Sequence, residues 1–167
     1  MATIPIDIRP ARERDALAIS NLQERAWRSA YQGLLPAAAL ARHAAEHDGR
    51  WWQRAVRRGG VIVLDFDGFI AGYAVAGPIR RRILPADGEI FEFYLDPAHQ
   101  GVGLGTRLFK ETRQQLRRHG LKSLAVWALD VNDRAGAFYR AMGGQPFARR
   151  GMPFGGESFP ATAYIWR

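Results

Sequence analysis

Three observations in the sequence predict a single α/β domain. A length of 167 residues is the usual size of one domain, and 47% hydrophobic residues suffice for a core. Segments with the two-residue period of strands alternate with segments of helical period. No repeat, low-complexity tract or Pro/Gly/Ser-rich linker divides the chain. Residues 1–167 are therefore expected to form one unit with about seven strands and about four helices.

The first half of the chain is predicted to contain one strand followed by helices. Apolar residues alternate with polar residues or Pro over 4–8, which is the pattern of a strand. From Asp15 onward apolar residues recur at roughly helical spacing, and Gly33 ends that helix. A second helical region covers 37–58, with an interruption at 48–49.

The second half is predicted to supply the other strands. The β-rich runs 61–64 and 69–76 flank Asp67 and Gly68, a pair that suits a tight hairpin turn, so we expect the two runs to pair antiparallel. The remaining predicted elements are a strand at 89–95, a helix from Leu104 that ends before Gly120, a buried strand at 121–129, a short helix at 135–142, and two strands within 145–167 joined by a loop at 151–158.

Composition limits the function classes. The lack of cysteine excludes a disulfide or a thiolate nucleophile, and the four histidines show no metal-ligand spacing. No apolar stretch approaches the roughly 20 residues that span a bilayer, and Asp7 and Arg9 near the start argue against a signal peptide. We therefore expect a cytoplasmic protein that uses no metal and does not contact a membrane.

A formal net charge of +8 raises the question of a polyanionic partner. The arginines are spread along the chain, with short runs at 80–82, 117–118 and 149–150, and no basic motif interleaved with aromatic residues accompanies them. This distribution favours a solvated basic surface over a nucleic-acid groove. A smaller polyanion, such as a phosphorylated cofactor, would also be attracted.

A glycine-rich segment joins the predicted strand at 89–95 to the next helix. Gly101, Gly103 and Gly105 lie at that junction. Backbone N–H groups at a helix start carry partial positive charge, and glycine lets a phosphate approach the backbone, so the segment is predicted to bind a diphosphate. Two familiar phosphate motifs do not fit, because no Gly-Lys-Ser/Thr follows and the third glycine of G-x-G-x-x-G is missing.

The spacing Gln100-x-x-Gly103-x-Gly105 resembles the Gln/Arg-x-x-Gly-x-Gly/Ala loop with which the GNAT N-acetyltransferases hold the pyrophosphate of coenzyme A. Two further segments are similar to that family: 89–97, with the sequence Glu-Ile-Phe-Glu-Phe-Tyr-Leu-Asp-Pro, and 132–139, with the sequence Asn-Asp-Arg-Ala-Gly-Ala-Phe-Tyr. The opening also resembles one large group of the family, through Ile8, Arg9, Pro10, Ala11, Trp27, Tyr31, Gly33, Leu35 and Pro36.

This resemblance implies both a fold and a function. A GNAT domain has a central mixed, mostly antiparallel sheet, and its enzymes move an acetyl group from acetyl-coenzyme A to a primary amine by direct attack in a ternary complex. Backbone groups of Phe93, Tyr94 and Leu95 would pair with the pantetheine arm as though it were an added strand. Asn132 would hydrogen-bond the cofactor, and Tyr139 would lie near the thioester sulfur. The diphosphate would be held by backbone amides of Gln100, Gly101, Val102, Gly103, Leu104, Gly105 and Thr106.

The spacing of Asn132 and Tyr139 is compatible with a shared ligand. A separation of seven residues is close to two helical turns and puts both side chains on one face. Each residue also has a structural explanation, because Asn132 stands where a helix N-cap belongs and Tyr139 would serve as a core aromatic residue. We favour a functional role for Tyr139, and both interpretations of Asn132 stay open.

Glu89 and Glu92 are the candidate general bases, because an ammonium acceptor must lose a proton before it attacks the thioester. Simple strand alternation places the two side chains on opposite faces, so that only one would face the cleft. The family's strand usually carries a bulge here, and a bulge alters that parity. We favour Glu89, with an ion pair to an arginine of 80–82 as its alternative role. Tyr139 would protonate the leaving thiolate.

Two other function classes are kept as alternatives: a non-catalytic domain that binds or senses an acyl-coenzyme A, and a basic nucleic-acid-binding module. The acceptor implied by the resemblance is a small-molecule or peptide amine. The segments that would contact it are 27–40, 80–88 and 149–160, and their arginines suit an acceptor with a carboxylate or phosphate. Assembly into a homodimer and a preference for longer acyl groups also stay open.

Overall fold

The computed structural model describes residues 2–167, which form a seven-stranded sheet with helices on both faces. In chain order the elements are β1 (Ile6–Pro10), a 3-10 turn (Glu13–Asp15), α1 (Ala16–Tyr31), α2 (Ala37–Glu46), α3 (Gly49–Arg58), β2 (Val61–Phe66), β3 (Phe69–Pro78), β4 (Gly88–Leu95), a second 3-10 turn (Pro97–His99), α4 (Leu104–Arg118), β5 (Leu124–Leu129), α5 (Asp133–Ala141), β6 (Gln145–Phe154) and β7 (Glu157–Trp166). The strand order is β1-β2-β3-β4-β5-β7-β6, and among these neighbours in 2–167 only β4 and β5 run parallel. This topology confirms the predicted mixed, mostly antiparallel sheet.

The second helical region divides into two helices at the predicted interruption. Asp48 accepts a hydrogen bond from the backbone N–H of Trp51 at 2.9 Å and so caps α3 immediately after α2 has ended. The described chain therefore has five α-helices instead of about four. The cap explains the difference, because it satisfies an N–H group that a continuous helix would have bonded internally.

The C-terminal hairpin is longer than predicted, and the expected loop at 151–158 is wrong. Strand β6 continues to Phe154, β7 begins at Glu157, and the turn consists of Gly155 and Gly156. Both glycines have positive φ, 60° and 81°, as a two-residue type I′ turn requires. The prolines of β6 are tolerated because it is an edge strand, where a missing N–H removes no ladder bond.

Strand β5 begins later than predicted, at Leu124 instead of residue 121. Gly120 adopts the expected left-handed conformation after α4, with φ of 80°, and the N–H of Leu121 bonds the carbonyl of Leu116 at 3.0 Å. Leu121 therefore completes the end of the helix, and the chain turns into the sheet only afterwards.

Each face of the sheet is covered by different helices. On the face we call the α1 face, Ile19 and Leu22 of α1 and Trp52 of α3 pack on Val63 and Tyr73. On the opposite face, which we call the α4 face, α4 and α5 pack on β3, β4, β5 and β7 in a separate apolar cluster. Strand β4 lies between the two cores, and its side chains reach both.

Candidate active site

Strands β4 and β5 separate after a short parallel contact, which opens a wedge in the sheet. Three residue pairs join them, the last between Ile90 and Val126. From Glu92 to Leu95, β4 keeps its pairing with β3 but pairs with no strand of residues 2–167 along its other edge. The N–H and C=O groups on that edge are therefore available to an extended ligand. This edge contains Phe93, Tyr94 and Leu95, the residues expected to pair with pantetheine.

A β-bulge lies where the two strands separate. Val75 of β3 stands opposite Glu92, while the next residue, Ala76, stands opposite Ile90, so Phe91 is the extra residue of β4. The bulge predicted for this strand is confirmed. Because one residue is skipped, Glu89 and Glu92 come to the same face, and both side chains line one pocket. The arrangement expected from simple alternation, with the two glutamates on opposite faces of the strand, does not occur.

The glycine loop supplies an anion site at the start of α4. Gly103 is the N-cap and has a left-handed φ of 83°, and Gly101 has a φ of 79°. The backbone N–H of Arg107 bonds the carbonyl of Gly103 at 3.3 Å, so the N–H groups of 104–106 precede the hydrogen-bond ladder of the helix. They lie at the positive end of the helix dipole, where a phosphate is stabilised.

The side chains of Gln100 and Leu104 pack against the protein and leave the backbone of the loop to face a ligand. Gln100 donates from Nε2 to the carbonyl of Leu95 at 3.3 Å, which ties the loop to the end of β4. Leu104 is buried in the core, whereas Val102 points to solvent with 71% of its surface exposed. At Gly105 an added Cβ would lie 3.1 Å from Leu95, so glycine lets α4 pack closely on β4.

A cleft of about 400 Å³ fills the wedge between β4, the starts of α4 and α5, and α1. On the α1 side its walls are the small residues Ala26, Ser29 and Ala30. Val102 and Leu104 do not line it. The predicted cofactor-binding residues that do are Phe93, Tyr94, Leu95, Gln100, Gly101, Gly103, Gly105, Thr106 and Asn132.

Asn132 and Tyr139 line this cleft together, as their two-turn spacing predicts. Asn132 is the N-cap of α5: its Oδ1 accepts from the N–H of Ala135 at 3.1 Å, and its Nδ2 donates to the hydroxyl of Tyr31 at 3.3 Å. Tyr139 is 5% exposed, and within residues 2–167 its hydroxyl makes no hydrogen bond to another residue. Burial, with smaller effects of Tyr31 and Tyr164, raises the pKa of Tyr139, so its phenol stays protonated.

Tyr31 is a site residue that sequence reasoning noted only as part of the opening pattern. It is the last residue of α1 and is buried, and its hydroxyl lies 3.2 Å from that of Tyr94. With the bond from Asn132, it links α1, β4 and α5. Tyr31 and Asn132 lie 101 positions apart, so no local sequence pattern could have predicted their contact.

A second cavity, which we call the aromatic pocket, adjoins the cleft on the α1 face. Its volume is about 190 Å³, and Asn132 and Tyr139 line both cavities, so the two meet there. Most of its wall is apolar, but two carboxylates and one guanidinium also contribute. The residues that line it include Trp27, Phe91, Trp127, Phe154, Arg80, Glu89 and Glu92.

The two glutamates of this pocket have different environments. Glu89 is 4% exposed, and its carboxylate accepts a hydrogen bond from Nη2 of Arg80 at 2.7 Å, so that the two residues form an ion pair. The alternative role predicted for Glu89 is therefore present in the structure. The Arg80 guanidinium also stacks over the ring of Phe91, 4.2 Å from its centroid, so it is held in place by two contacts.

Glu92 forms no ion pair within residues 2–167. Its Oε1 accepts from Nε2 of Gln23 at 2.8 Å and from the hydroxyl of Tyr73 at 3.0 Å. Burial raises the pKa of the Glu92 carboxyl despite these two hydrogen bonds, which favour the charged form. A carboxylate with a raised pKa is a stronger proton acceptor, which is what a general base near neutral pH requires.

The structure also bears on metals, membranes and the basic charge. Within residues 2–167, no group of three or more His, Cys, Asp or Glu side chains is arranged to hold a metal ion. None of the helices in that range has the length and apolar character needed to cross a bilayer. Several arginines are already committed to ion pairs, among them Arg9 with Asp15, Arg25 with Asp96 and Arg57 with Glu13.

Comparison with known proteins identifies the family of this site. The sequence profile described as the acetyltransferase (GNAT) family matches residues 17–143, which contain the wedge, the glycine loop and α5. Among curated proteins, the chain is similar to the uncharacterized N-acetyltransferase YuaI of Bacillus subtilis (strain 168). The two are 26% identical over 162 residues, which cover 96% of this chain and 92% of YuaI.

Solved structures share the fold at lower sequence identity. The PaiA N-acetyltransferase of Thermoplasma acidophilum, crystallised in complex with coenzyme A, superposes with a TM-score of 0.79 at 16% identity, covering 95% of this chain and 98% of PaiA. YncA of Salmonella typhimurium, solved with its cofactor acetyl-CoA, gives a TM-score of 0.69 at 22% identity, covering 97% of this chain and 93% of YncA.

Proposed function

The chain belongs to the acetyltransferase (GNAT) family, and we propose that its cleft and aromatic pocket together perform acetyl transfer from acetyl-coenzyme A to a primary amine. The cleft takes the cofactor and the aromatic pocket takes the acceptor. The observation that carries this assignment is that the two cavities meet at Tyr139, with two carboxylates on the acceptor side. An amine and a thioester bound in the two cavities would be brought together there, as direct transfer requires.

The residues of the cleft fit coenzyme A. The open edge of β4 offers backbone pairing to the amide-containing pantetheine arm, and the free N–H groups of 104–106 suit its diphosphate. Gly101 and Gly103 have no atom near the position of a Cβ, so a phosphate can approach them. Asn132 also lines the cleft. Its Oδ1 is used in the cap of α5, so its Nδ2 is the group that can donate to the cofactor.

We assign the role of general base to Glu92. The acceptor arrives as an ammonium ion and must become neutral, and the Glu92 carboxylate would accept that proton directly or through one water. Glu92 makes no ion pair within residues 2–167, and burial raises its pKa, so it binds a proton more tightly than an exposed carboxylate does. Glu89, favoured from the sequence, stays the alternative base, but its carboxylate is already engaged by the guanidinium of Arg80.

We assign the role of general acid to Tyr139. Acetyl-coenzyme A supplies the acetyl group as an activated thioester, and its sulfur departs as a thiolate. Tyr139 lines both cavities, and its phenol carries a proton that it can donate to that sulfur. The phenolate left behind can take the second N–H proton that the acceptor nitrogen loses as the amide forms. A backbone N–H on the open edge of β4 would polarise the thioester carbonyl.

Turnover with a defined panel of amines tests this function. We expect release of free thiol from acetyl-coenzyme A together with an acetylated product detected by mass spectrometry, and neither without an amine. Heat-treated protein is the control for spontaneous aminolysis. Binding of coenzyme A without thiol release for any amine would instead indicate the non-catalytic acyl-coenzyme A-binding domain.

The compartment and the oligomeric state are further parts of the proposal. We propose cytoplasmic action, because a chain without cysteine gains nothing from an oxidising compartment. A homodimer could form along the free edge of β6, the last strand of the sheet. Cell fractionation and light scattering of the purified protein measure the two properties.

A further inference from the structure

Beside the aromatic pocket lies a guanidinium that makes no hydrogen bond or ion pair within residues 2–167. Arg150 lies on β6, and its guanidinium stacks 4.4 Å from the ring centroid of Trp127, which lines the pocket. Its Nε is buried and has no hydrogen-bond partner, and the residue makes no ion pair within 2–167. Met152, two positions along β6 and on the same face of the strand, lines the pocket as well.

Two nearby arginines, unlike Arg150, have ion-pair partners. Arg149 points to the opposite face of β6 and pairs with Asp130, and Arg80 pairs with Glu89. A planar guanidinium that is stacked and has a buried free N–H is oriented for a hydrogen bond before any ligand arrives.

A second free donor lies in the wall of the pocket itself. Trp27 lines the pocket, and its indole Nε1 is buried without a hydrogen-bond partner. Only four buried side-chain N or O atoms in residues 2–167 have no partner, and two of them belong to Trp27 and Arg150. Buried N–H donors that are left unpaired are rare, because each costs desolvation free energy. One such donor lies in the wall of the pocket and the other is stacked on its Trp127 side chain, so both are placed to bond acceptor oxygens of a ligand.

Size and polarity narrow the chemistry of that ligand. The pocket volume of about 190 Å³ equals the liquid volume of about six water molecules, which suits a group the size of one amino acid. Its rings Phe91, Trp127 and Phe154 favour an apolar body. A carboxylate carries one negative charge and matches the guanidinium fork, and it is less costly to bring between apolar rings than a doubly charged phosphate.

We propose that the acceptor is a small apolar amine bearing a carboxylate, of amino-acid type, and that Arg150 binds this carboxylate. The inference rests on the proposed acetyltransferase function and narrows its acceptor. The amine would point toward Glu92 and Tyr139, and the carboxylate toward β6. Arg150 is then a specificity-determining residue that takes no part in the proton transfers.

Matched pairs of amines test the proposal. L-phenylalanine is compared with 2-phenylethylamine, and L-leucine with 3-methylbutylamine, since each pair differs only by the carboxylate. We expect kcat/KM to be about tenfold or more higher for the amino acid of each pair, the effect of a hydrogen-bonded charge pair. O-phosphoethanolamine and β-alanine form a third pair, in which we expect β-alanine to be preferred.

The variant Arg150→Gln tests whether Arg150 binds the carboxylate of the acceptor, and Arg149→Gln is its matched control. We expect Arg150→Gln to raise KM for L-phenylalanine about tenfold or more with kcat nearly unchanged, and to leave 2-phenylethylamine unaffected. Arg149→Gln removes the same charge from the adjacent residue on the other face and should alter neither substrate. Calorimetric titration of L-phenylalanine in the presence of coenzyme A measures the same difference without turnover.

The outcomes separate this inference from the proposed function. Equal kcat/KM within the pairs, a preference for O-phosphoethanolamine, or equal effects of the two variants would overturn the carboxylate assignment while acetyl transfer itself stands. Thiol release with none of the amines would overturn the proposed function and this inference with it.

Discussion

The cleft and the aromatic pocket share Tyr139 as a wall residue but are built in different ways. The cleft is made mostly of main chain: the open edge of β4, the N–H groups that begin α4, and glycines with positive φ. The aromatic pocket is made of side chains from α1, β4, β5 and β6. A site built from main chain changes only when a substitution alters the backbone. A site built from side chains changes when a single side chain is replaced. Substitutions on the two sides should therefore have separable effects.

The largest effect is expected on the acceptor side, from Glu92→Gln. The amide keeps an oxygen that can accept from Gln23 and Tyr73, but it cannot take the acceptor's proton. General base catalysis contributes about a hundredfold to ten-thousandfold, so kcat/KM should fall by that much while the dissociation constant of coenzyme A stays the same. Steady-state kinetics and calorimetry provide the two measurements.

Glu89→Gln is the matched comparison on the same strand. It disrupts the pair with Arg80 but leaves Glu92 in place, so a smaller loss is expected. In the wild type, kcat/KM should rise with pH through the raised pKa of Glu92, and this rise should be missing in Glu92→Gln. A greater loss in Glu89→Gln than in Glu92→Gln would identify Glu89 as the base.

Tyr139→Phe probes the point where the cavities meet. Only the hydroxyl is lost and the packing volume stays, so coenzyme A affinity should hardly change. Turnover should fall by about a hundredfold if protonation of the thiolate contributes to the rate-limiting step. Single-turnover kinetics separate chemistry from product release. A wild-type chemical rate in that experiment would show that Tyr139 serves only for packing.

Gly103→Val probes the main-chain side. Valine is strained at a φ of 83°, and its side chain would occupy the place of a phosphate, so the rise in Tm caused by coenzyme A should disappear. Gly120→Val is the control, because Gly120 has a φ of 80° at the other end of α4 and equally open surroundings. The assigned diphosphate site would be refuted by a normal shift in Gly103→Val, or by its loss in both variants.

The smallest effect concerns stability. The folded state raises the pKa of Glu92, so it holds the proton more tightly than the unfolded chain does. The free energy of unfolding of the wild type should therefore fall as pH rises from the unfolded value of 4.5 through the folded pKa, by about 1.4 kcal/mol per unit of the shift. Glu92→Gln lacks this loss. Urea unfolding between pH 4 and 8, in both proteins, should show the difference growing with pH and then levelling off.

The cleft could be predicted from the sequence because it depends on neighbours in the chain. The strand, the loop and the start of α4 form one continuous segment, and glycine at 101, 103 and 105 has few roles other than those found. The fold class followed in the same way from local periods. The C-terminal hairpin was misjudged because glycine and proline at 151–160 resemble a loop, while an edge strand accepts both.

The aromatic pocket could not be predicted in this way. Trp27, Phe91, Trp127 and Phe154 come from four elements, and nothing in their local patterns relates them. Glu89 and Glu92 lie on the same face of the strand because of a bulge, which the two-residue period of a strand does not encode. Only the resemblance pointed to that bulge, and the pairing with β3 was needed to assign it to Phe91.

The bulge at Phe91 makes strand length itself a functional property. Parallel pairing of β4 with β5 ends at Ile90, one residue before the bulge, and a bulged strand bends and twists more strongly at that point. A chain shortened by Phe91 alone would regain a regular ladder with Ile90 still in the core and both glutamates still on the α1 face. Such a strand could continue alongside β5 and close the wedge. One inserted residue thus converts a continuous sheet into one with a slot for a ligand.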